Sequence, residues 1–250
     1  MTSVNREKIL LSWKQCYKKG IEKDIDEINK RANEAELTQR RKRNKELIEI
    51  FNDNVENLLE KYTVRNTVFL LTDKDMVLIS KREKIKKDCP IKISEGDHFD
   101  EETCGTNAIS LASELRDKVL LKGDDHYCYL FQELGCIAAP IIVNQKIIAF
   151  LDLSVLNREI REKDKMLFDL LYQAINLEIS KLAIEVEEAI LNKKEKRILK
   201  LSAKGYSIKE IAKKMILSSS TIKYYRTNIC KKLEAENITH AVAKVLKNSI

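Results

Sequence analysis

The chain has 250 residues, enough for two domains whose cores need no covalent staples. Its six cysteines (Cys16, Cys89, Cys104, Cys128, Cys136 and Cys230) form no CxxC pair and no framework spacing. With no secretory signal, this excludes a disulfide-built fold and predicts reduced thiols in a cytoplasmic protein. No apolar run approaches the roughly 20 residues of a membrane span, and only two Pro and six Gly exclude long flexible linkers.

The net charge of +7 is unevenly placed. Residues 192–250 carry 15 Lys and Arg against 4 Glu, a net of +11, whereas the rest carries 31 basic and 35 acidic residues. A basic tail on a mildly acidic body points to nucleic acid as the tail's partner.

Residues 4–19 read as a short helix with Ile9, Leu10, Trp13 and Tyr17 on one face. From Asp24 to Tyr62 the chain is charged and lacks Pro and Gly. Leu47, Ile50, Phe51, Val55, Leu58 and Leu59 recur at helical spacing, which predicts a long helix packed on the core or on a second copy. The basic run Gln39-Arg40-Arg41-Lys42-Arg43 has acidic neighbours and reads as a solvated face rather than a nucleic-acid contact.

The period then changes. Residues 67–73 read as a buried strand, with a turn at Asp73-Lys74-Asp75 and a second strand over Met76–Ser80. A charged loop containing Cys89-Pro90 follows. Asp100 to Glu114 reads as a helix, Val119–Leu121 as a short strand and Asp125–Leu134 as a short helix. Cys136–Val143 and Lys146–Ser154 form a hairpin around Asn144-Gln145. Hairpin, helical crossing and second hairpin together predict an α+β domain with an antiparallel sheet flanked by helices.

The blocks Ser12-Trp13-Lys14-Gln15-Cys16, Leu71-Thr72-Asp73, Glu101 with Gly105-Thr106-Asn107-Ala108-Ile109, His126-Tyr127, and Cys136–Ile141 with Leu151-Asp152-Leu153-Ser154 carry a resemblance. In order and spacing they are similar to the sensory region of acetoin- and glycerol-catabolism activators, a GAF domain preceded by helices. Met76 stands where that region usually has Gly. Those activators continue into an ATPase module; this chain has no GxxxxGK[ST] loop, so ATP-driven promoter opening is not implied.

The resemblance implies a pocket between the sheet and its crossing segments. Candidate liners are Cys104, Thr106, Asn107, His126, Cys128, Cys136 and Asp152. Asn107 near a helix start suits a small polar or anionic effector met by free amides; equally, Gly105-Thr106-Asn107 can simply shape and cap the helix. Asp152, inside an apolar strand, is expected to pair with a backbone donor or a Lys. Cys104, Cys128 and Cys136 with His126, and further Cys89 or His98, offer thiolate and imidazole ligands. That leaves a metal, iron–sulfur or thiol-redox input open beside the reading of Cys as a small buried hydrophobe.

Leu156 to Leu191 joins the two regions. Phe168, Leu171, Ile175, Ile179, Leu182, Val186 and Ala189 follow a near-heptad seam, expected to pack first on the chain's own sheet and then on a dimer mate.

In the tail, Ile208, Ile211, Ala212 and Met215 follow i, i+3, i+4, i+7, and Ser207 with Glu210 makes a capping box. A second helix begins at Ser218, with Ile222, Tyr225, Ile229 and Leu233 on one side and Lys223, Tyr224, Arg226, Thr227, Lys231 and Lys232 on the other. Such a helix suits the major groove, although a solvated amphipathic pair has the same pattern.

Residues 193–247 resemble the four-helix DNA-binding domain of LuxR-type regulators, through Glu195, Ile198-Leu199, Gly205, Glu210-Ile211-Ala212, Ser218, Thr221-Ile222-Lys223, Lys232-Leu233 and Ala241-Val242. The resemblance implies Lys223, Tyr224 and Thr227 at the bases and Lys209, Ser218, Thr221 and Arg226 at phosphates. Tyr225 replaces the usual His, and Asn237-Ile238-Thr239 lacks the usual Arg.

The expected fold is therefore an α+β GAF-like sensor plus an all-α four-helix LuxR-type helix-turn-helix domain. The expected divisions are N-terminal helices 1–62, sensor 63–157, linker and dimerisation helix 158–191, and DNA-binding domain 192–250. The expected function is a cytoplasmic, homodimeric, non-enzymatic transcription regulator. Its partners are double-stranded DNA, a small-molecule effector and the transcription machinery, with no membrane.

Overall fold

The computed structural model describes residues 6–85 and 92–246, apart from the side chains of 183–189 and 246. Cys89, Val186 and Ala189 therefore lie outside what is described here. The chain forms two compact units, 1–177 and 178–250.

The first unit is built on one antiparallel sheet of β1 (Thr67–Asp73), β2 (Leu78–Lys84), β3 (Val119–Leu121), β4 (Leu134–Val143) and β5 (Lys146–Leu156), in the order β2-β1-β5-β4-β3. The β4–β5 turn is a two-residue one. Asn144 and Gln145 both have positive φ, 49° and 64°, the backbone whose twist matches paired strands. All seven residues of β1 are buried, so the sheet is covered on both faces. Val68, Leu70, Cys136, Ala138 and Phe150 join the core under α5 (Ala108–Leu115). Phe69, Leu71, Ile137, Leu151 and Leu153 are equally buried, and α3 (Lys45–Lys61) packs against β1 and β2.

Strand β2 begins two residues later than its pattern suggests. The Asp73 carboxylate accepts from the amides of Asp75 and Val77 at 2.9 and 3.0 Å and holds residues 74–77 in a turn. Met76, in the place of a glycine, sits there at φ 60°.

The expected long helix over 24–62 is not formed. Residues 20–33 are a strap with a single bridge, Arg31 to Asp97, and two helices follow, α2 (Glu34–Arg43) and α3. The strap gains its hydrogen bonds from loops instead of from itself. The Lys23 carbonyl accepts from Tyr129 N at 2.9 Å, and the Lys30 carbonyl accepts from His98 N at 3.1 Å. Asn33 caps α2 through Glu36 N, and Asn44 closes it by donating to the Arg40 carbonyl. Arg40 bonds Glu36, Asp73 and Asp75, and Arg41 bonds Glu95, so the basic run is engaged within its own unit.

Helix α1 (Arg6–Lys18) buries Ile9, Ser12 and Cys16, whereas Leu10 and Tyr17, expected on its inner face, are exposed. The difference is polar: Ser12 Oγ bonds Glu101 at 2.5 Å and Thr106 at 2.6 Å, which rotates the helix about that seam.

The helix expected over 100–114 is broken into α4 (Glu101–Cys104) and α5. Gly105 turns between them at φ 65°, and a Cβ there would lie 2.7 Å from the Tyr127 ring. The helix expected over 125–134 is two 3-10 turns, Gly123–Asp125 and Tyr129–Phe131. In α6 (Glu162–Ile190) Phe168, Leu171, Ile175 and Ile179 are buried and Leu182 half-buried. Tyr172 bonds the Pro140 carbonyl at 2.8 Å, so the first part of the expected seam is taken up by the chain's own sheet.

The second unit is all helical: the end of α6, then α7 (Lys193–Ala203), α8 (Ile208–Met215), α9 (Ser219–Lys232) and α10 (Ile238–Leu246). Ile198, Leu199, Ile211, Ala212, Ile222, Ile229, Leu233 and Ala241 make its core, with Ile208, Met215 and Tyr225 packed against it. Asn192 with Glu195, and Ser207 with Glu210, form capping boxes. Glu195, 2 % exposed, also takes the Lys232 ammonium at 2.8 Å and so ties α7 to α9. Ile216, between α8 and α9, is strained: a β-branched residue in the left-handed region at φ 56° and 92 % exposed. Among the described residues no helix is long and apolar enough to cross a membrane.

Candidate nucleic-acid face and sensor cavity

Helix α9 is entered through Ser218, whose Oγ accepts from Thr221 N at 3.0 Å and bonds Thr221 Oγ1 at 2.8 Å. The Ile222, Ile229 and Leu233 side chains turn inward. Lys223, Tyr224, Thr227 and Lys231 stay exposed, and Arg226 is half-buried beside Cys230. Lys209 and Ser218 are exposed and Thr221 is half-buried. Tyr224 is 64 % exposed, with its ring edge-on to Tyr225, whose packing role suits its half-buried position. Lys232 is bonded to Glu195 and is so engaged within its own unit.

The first unit holds a cavity of about 20 Å³ between the sheet and α5. Its lining includes Asn107, His126, Cys136, Asp152 and Ser154 among Leu70, Phe99, Ile109 and Phe131. Thus four of the sequence-chosen liners, Asn107, His126, Cys136 and Asp152, line it. Cys104 adjoins it, bonded to Asn107 Nδ2 at 3.4 Å. Thr106 and Cys128 face the N-terminal segment instead: Thr106 bonds Ser12 and Cys16, and the Cys128 thiol donates to the Glu22 carbonyl.

Asn107 is fully committed. Its Oδ1 caps Ser110 N at 2.9 Å, and its Nδ2 donates to the carbonyls of Phe99 and Gly105, each at 3.0 Å. The Ser110 amide is used, so the free-amide site for an anion is not formed there. Among the described residues Asp152 pairs with neither a Lys nor a backbone donor. Its Oδ1 accepts from Ser154 Oγ at 2.5 Å, and burial pushes the carboxyl up to about 7. The His126 Nδ1 lies 3.2 Å from the Gly123 carbonyl, Nε2 has no partner among the described residues, and burial lowers the imidazole to about 4.

The thiols are in poor positions for redox chemistry. Burial raises Cys104 and Cys136 well above the ordinary thiol range and pushes Cys128 up to about 12, so none is held as the reactive thiolate. His98 pairs with Asp100 at 3.4 Å. Among the described residues no three His, Cys, Asp or Glu side chains come close enough to hold a metal ion.

The two titrating groups of the cavity bias stability in opposite directions. Raised Asp152 binds its proton more tightly folded than unfolded, so its contribution falls as pH rises from about 4 to about 7. Lowered His126 resists protonation when folded, so its contribution rises with pH from about 4 to about 6.5. Between pH 4.5 and 6.5 the slopes oppose. Asp152→Asn is expected to add a rising slope of up to about 1.4 kcal/mol per pH unit relative to the parent, and His126→Phe a falling one. Urea denaturation read through Trp13, the single tryptophan, measures both; slopes of the same sign would contradict the assignment.

A capped helix pair with an exposed cationic second helix, inside a four-helix unit, defines a helix-turn-helix DNA-binding domain. Residues 189–245 match the family model described as bacterial regulatory proteins, luxR family, and the second unit is a LuxR-type domain. The oxygen regulatory protein NreC of Staphylococcus carnosus is 41% identical over 61 residues, covering 24% of this chain and 28% of that protein. The acetoin dehydrogenase operon transcriptional activator AcoR of Bacillus subtilis is 27% identical over 139 residues, covering 54% of this chain and 23% of AcoR. The chain therefore spans about a quarter of the length of these relatives. The first unit shares its fold with DhaR in the crystal structure of the Escherichia coli DhaR(N)–DhaL complex (TM-score 0.65, 16% identity, 72% of this chain and 63% of that one). It is an α+β fold, a five-stranded antiparallel sheet flanked by helices.

Proposed function

We propose that this chain is a cytoplasmic, homodimeric transcription regulator. Its sensor, 63–157, binds a small effector, and the helix of 158–191 passes that state to a DNA-binding domain, 192–250. The observation that carries this reading is the exposed cationic face of α9 on a LuxR-type unit. Lys223, Tyr224 and Thr227 read base edges, and Lys209, Ser218, Thr221 and Arg226 hold phosphates. The matches to AcoR and to the DhaR fold support the sensing role. Support for the dimer is a second stripe on α6: Met166, Leu170 and Leu177, spaced 4 and 7 residues and 70, 50 and 57 % exposed, point away from the buried side chains. The regulator meets the transcription machinery through the DNA it occupies, and its chemistry is binding rather than catalysis.

The test uses the full chain and a random duplex library. Selection is expected to return paired half-sites, and log K should fall linearly with log salt, as phosphate neutralisation requires. Absent or salt-insensitive binding would sink the reading.

A further inference from the structure

We infer that a cleft at the start of α6 binds a compact polyanion of the diphosphate class. The site belongs to the first unit and shares no lining residue with the cavity under α5. It stands independently of the effector reading above.

Two segments meet there. Leu156 N donates to the Asn66 carbonyl at 2.9 Å, so the entry to β1 runs beside the exit from β5. Lys163 Nζ, in the first turn of α6, donates to the Thr63 carbonyl at 3.0 Å. The cleft they border has a volume of about 300 Å³, and its lining includes Arg65, Arg158, Arg161 and Lys163 against a single acid, Asp164.

The charge balance of this lining carries the inference. The chain ahead of residue 192 is mildly acidic as a whole, yet four cations here meet one carboxylate. That carboxylate is already spent. Asp164 is 5 % exposed; its Oδ1 takes Arg158 Nη2 at 2.8 Å, and its Oδ2 takes Arg158 Nη1 at 2.6 Å and the Arg161 amide at 2.8 Å. The two-pronged pair holds Arg158 and the start of α6 in place. The neighbouring acid Glu162 is taken by Lys165 at 2.6 Å. Arg65, Arg161 and Lys163 are exposed and have no carboxylate partner among the described residues. The carbonyl that Lys163 meets is neutral and leaves its charge uncompensated. Like charges gathered around one concavity repel one another and attract an anion that relieves them.

The ligand class follows from the same lining. The cleft has the size of the smaller ligand sites. Guanidinium forks match pairs of oxygens on tetrahedral phosphorus, and three uncompensated cations call for more charge than a single phosphate brings. No aromatic side chain lines the cleft, and Val64 is its one wholly apolar member. Nothing there stacks a base or receives a carbon frame, so linked phosphoryl groups carry the recognition.

The experiment is calorimetric titration of the full chain with pyrophosphate, without divalent metal and at constant ionic strength. Saturable one-to-one binding is expected, with orthophosphate, sulfate and citrate each weaker by about tenfold or more. Arg65→Gln and Arg161→Gln, both at exposed positions, should each weaken pyrophosphate about tenfold. Both should leave the affinity for a random duplex unchanged. Arg158 stays intact, because it neutralises buried Asp164. Lys223→Ala and Arg226→Ala, in the second unit, should leave pyrophosphate binding as it was. No saturable binding, citrate equal to pyrophosphate, or binding lost with the Lys223 or Arg226 variant and kept with both glutamine variants would overturn the inference. So would weaker random-duplex binding by Arg65→Gln or Arg161→Gln, which would make the cleft a DNA contact.

Discussion

Gly123→Ala is expected to lower the stability of the sensor unit by about 3 kcal/mol or more, a large part of the 5–15 kcal/mol that holds a typical domain. The reason is space, since the backbone at Gly123 is open to any residue. A Cβ built there would lie 1.9 Å from the Gln132 carbonyl oxygen and 2.9 Å from its carbon. Both belong to the backbone, so no side-chain rotation relieves the clash, and the two 3-10 turns must part. The Gly123 carbonyl accepts the His126 amide and faces the His126 ring, so the same shift releases the imidazole and opens the cavity. Trp13 reports the event directly, because its indole donates to the Asp125 carbonyl at 3.1 Å and meets the Tyr127 ring edge-on at 5.9 Å. Gly20→Ala separates this from a conformational cost: Gly20 has φ 72° with nothing within 4 Å of a Cβ, so a loss of only about 1–2 kcal/mol is expected. Equal midpoints for Gly123→Ala and its parent in urea would contradict the packing.

What could be read in advance followed from local chemistry. The Asn144-Gln145 turn, the helix starts at Ser207 and Ser218, and the core spacing of α8 and α9 are short-range signals, and each is present in the structure. The strap at 20–33 was not legible, because its hydrogen bonds go to residues about 65 to 105 positions away. Asp152 could be named as a liner from its place in the GAF-like blocks, but the register that sets its face could not be read. Counting back from the turn, Val143 pairs with Lys146 and Ile142 with Ile147, which would put Leu153 opposite Cys136. Between Ile142 and Ile141 the partner strand steps from Ile147 to Ala149, so Ile148 is an extra residue that shifts the register by one, and Cys136 pairs with Ser154 and Ala138 with Asp152. One residue of slip exchanges the faces of a strand, so Asp152 and Ser154 come to the cavity only because of that bulge. His126 could be suspected from its place in the GAF-like blocks. The loneliness of Nε2 depends on which carbonyl Nδ1 faces, and only the folded chain shows that.

Lys223 and Arg226 divide the proposed DNA contact into two measurable parts. Lys223 is exposed near the start of α9, where a recognition helix meets base edges. Arg226 is half-buried three residues on, with its charge beside the helix core. A side chain that reads a base contributes about 1–3 kcal/mol of discrimination, so Lys223→Ala is expected to weaken the selected site roughly 5- to 150-fold and to relax preference at one base position. It should leave a non-selected duplex much less affected. A side chain that neutralises a phosphate acts on every sequence alike. Arg226→Ala should therefore weaken selected and random duplexes by similar factors and reduce the salt slope by about one. Stability cannot imitate this contrast, because unfolding would lower both affinities together and leave the slope of the folded fraction unchanged. Lys45→Ala, in the sensor unit and paired with Glu49 at 3.7 Å on an exposed face, is the neutral comparison. Titrations on both duplexes at several salt concentrations decide the matter. Identical profiles for the Lys223 and Arg226 variants would remove the division of roles, and unchanged affinity in both would remove α9 from the DNA interface.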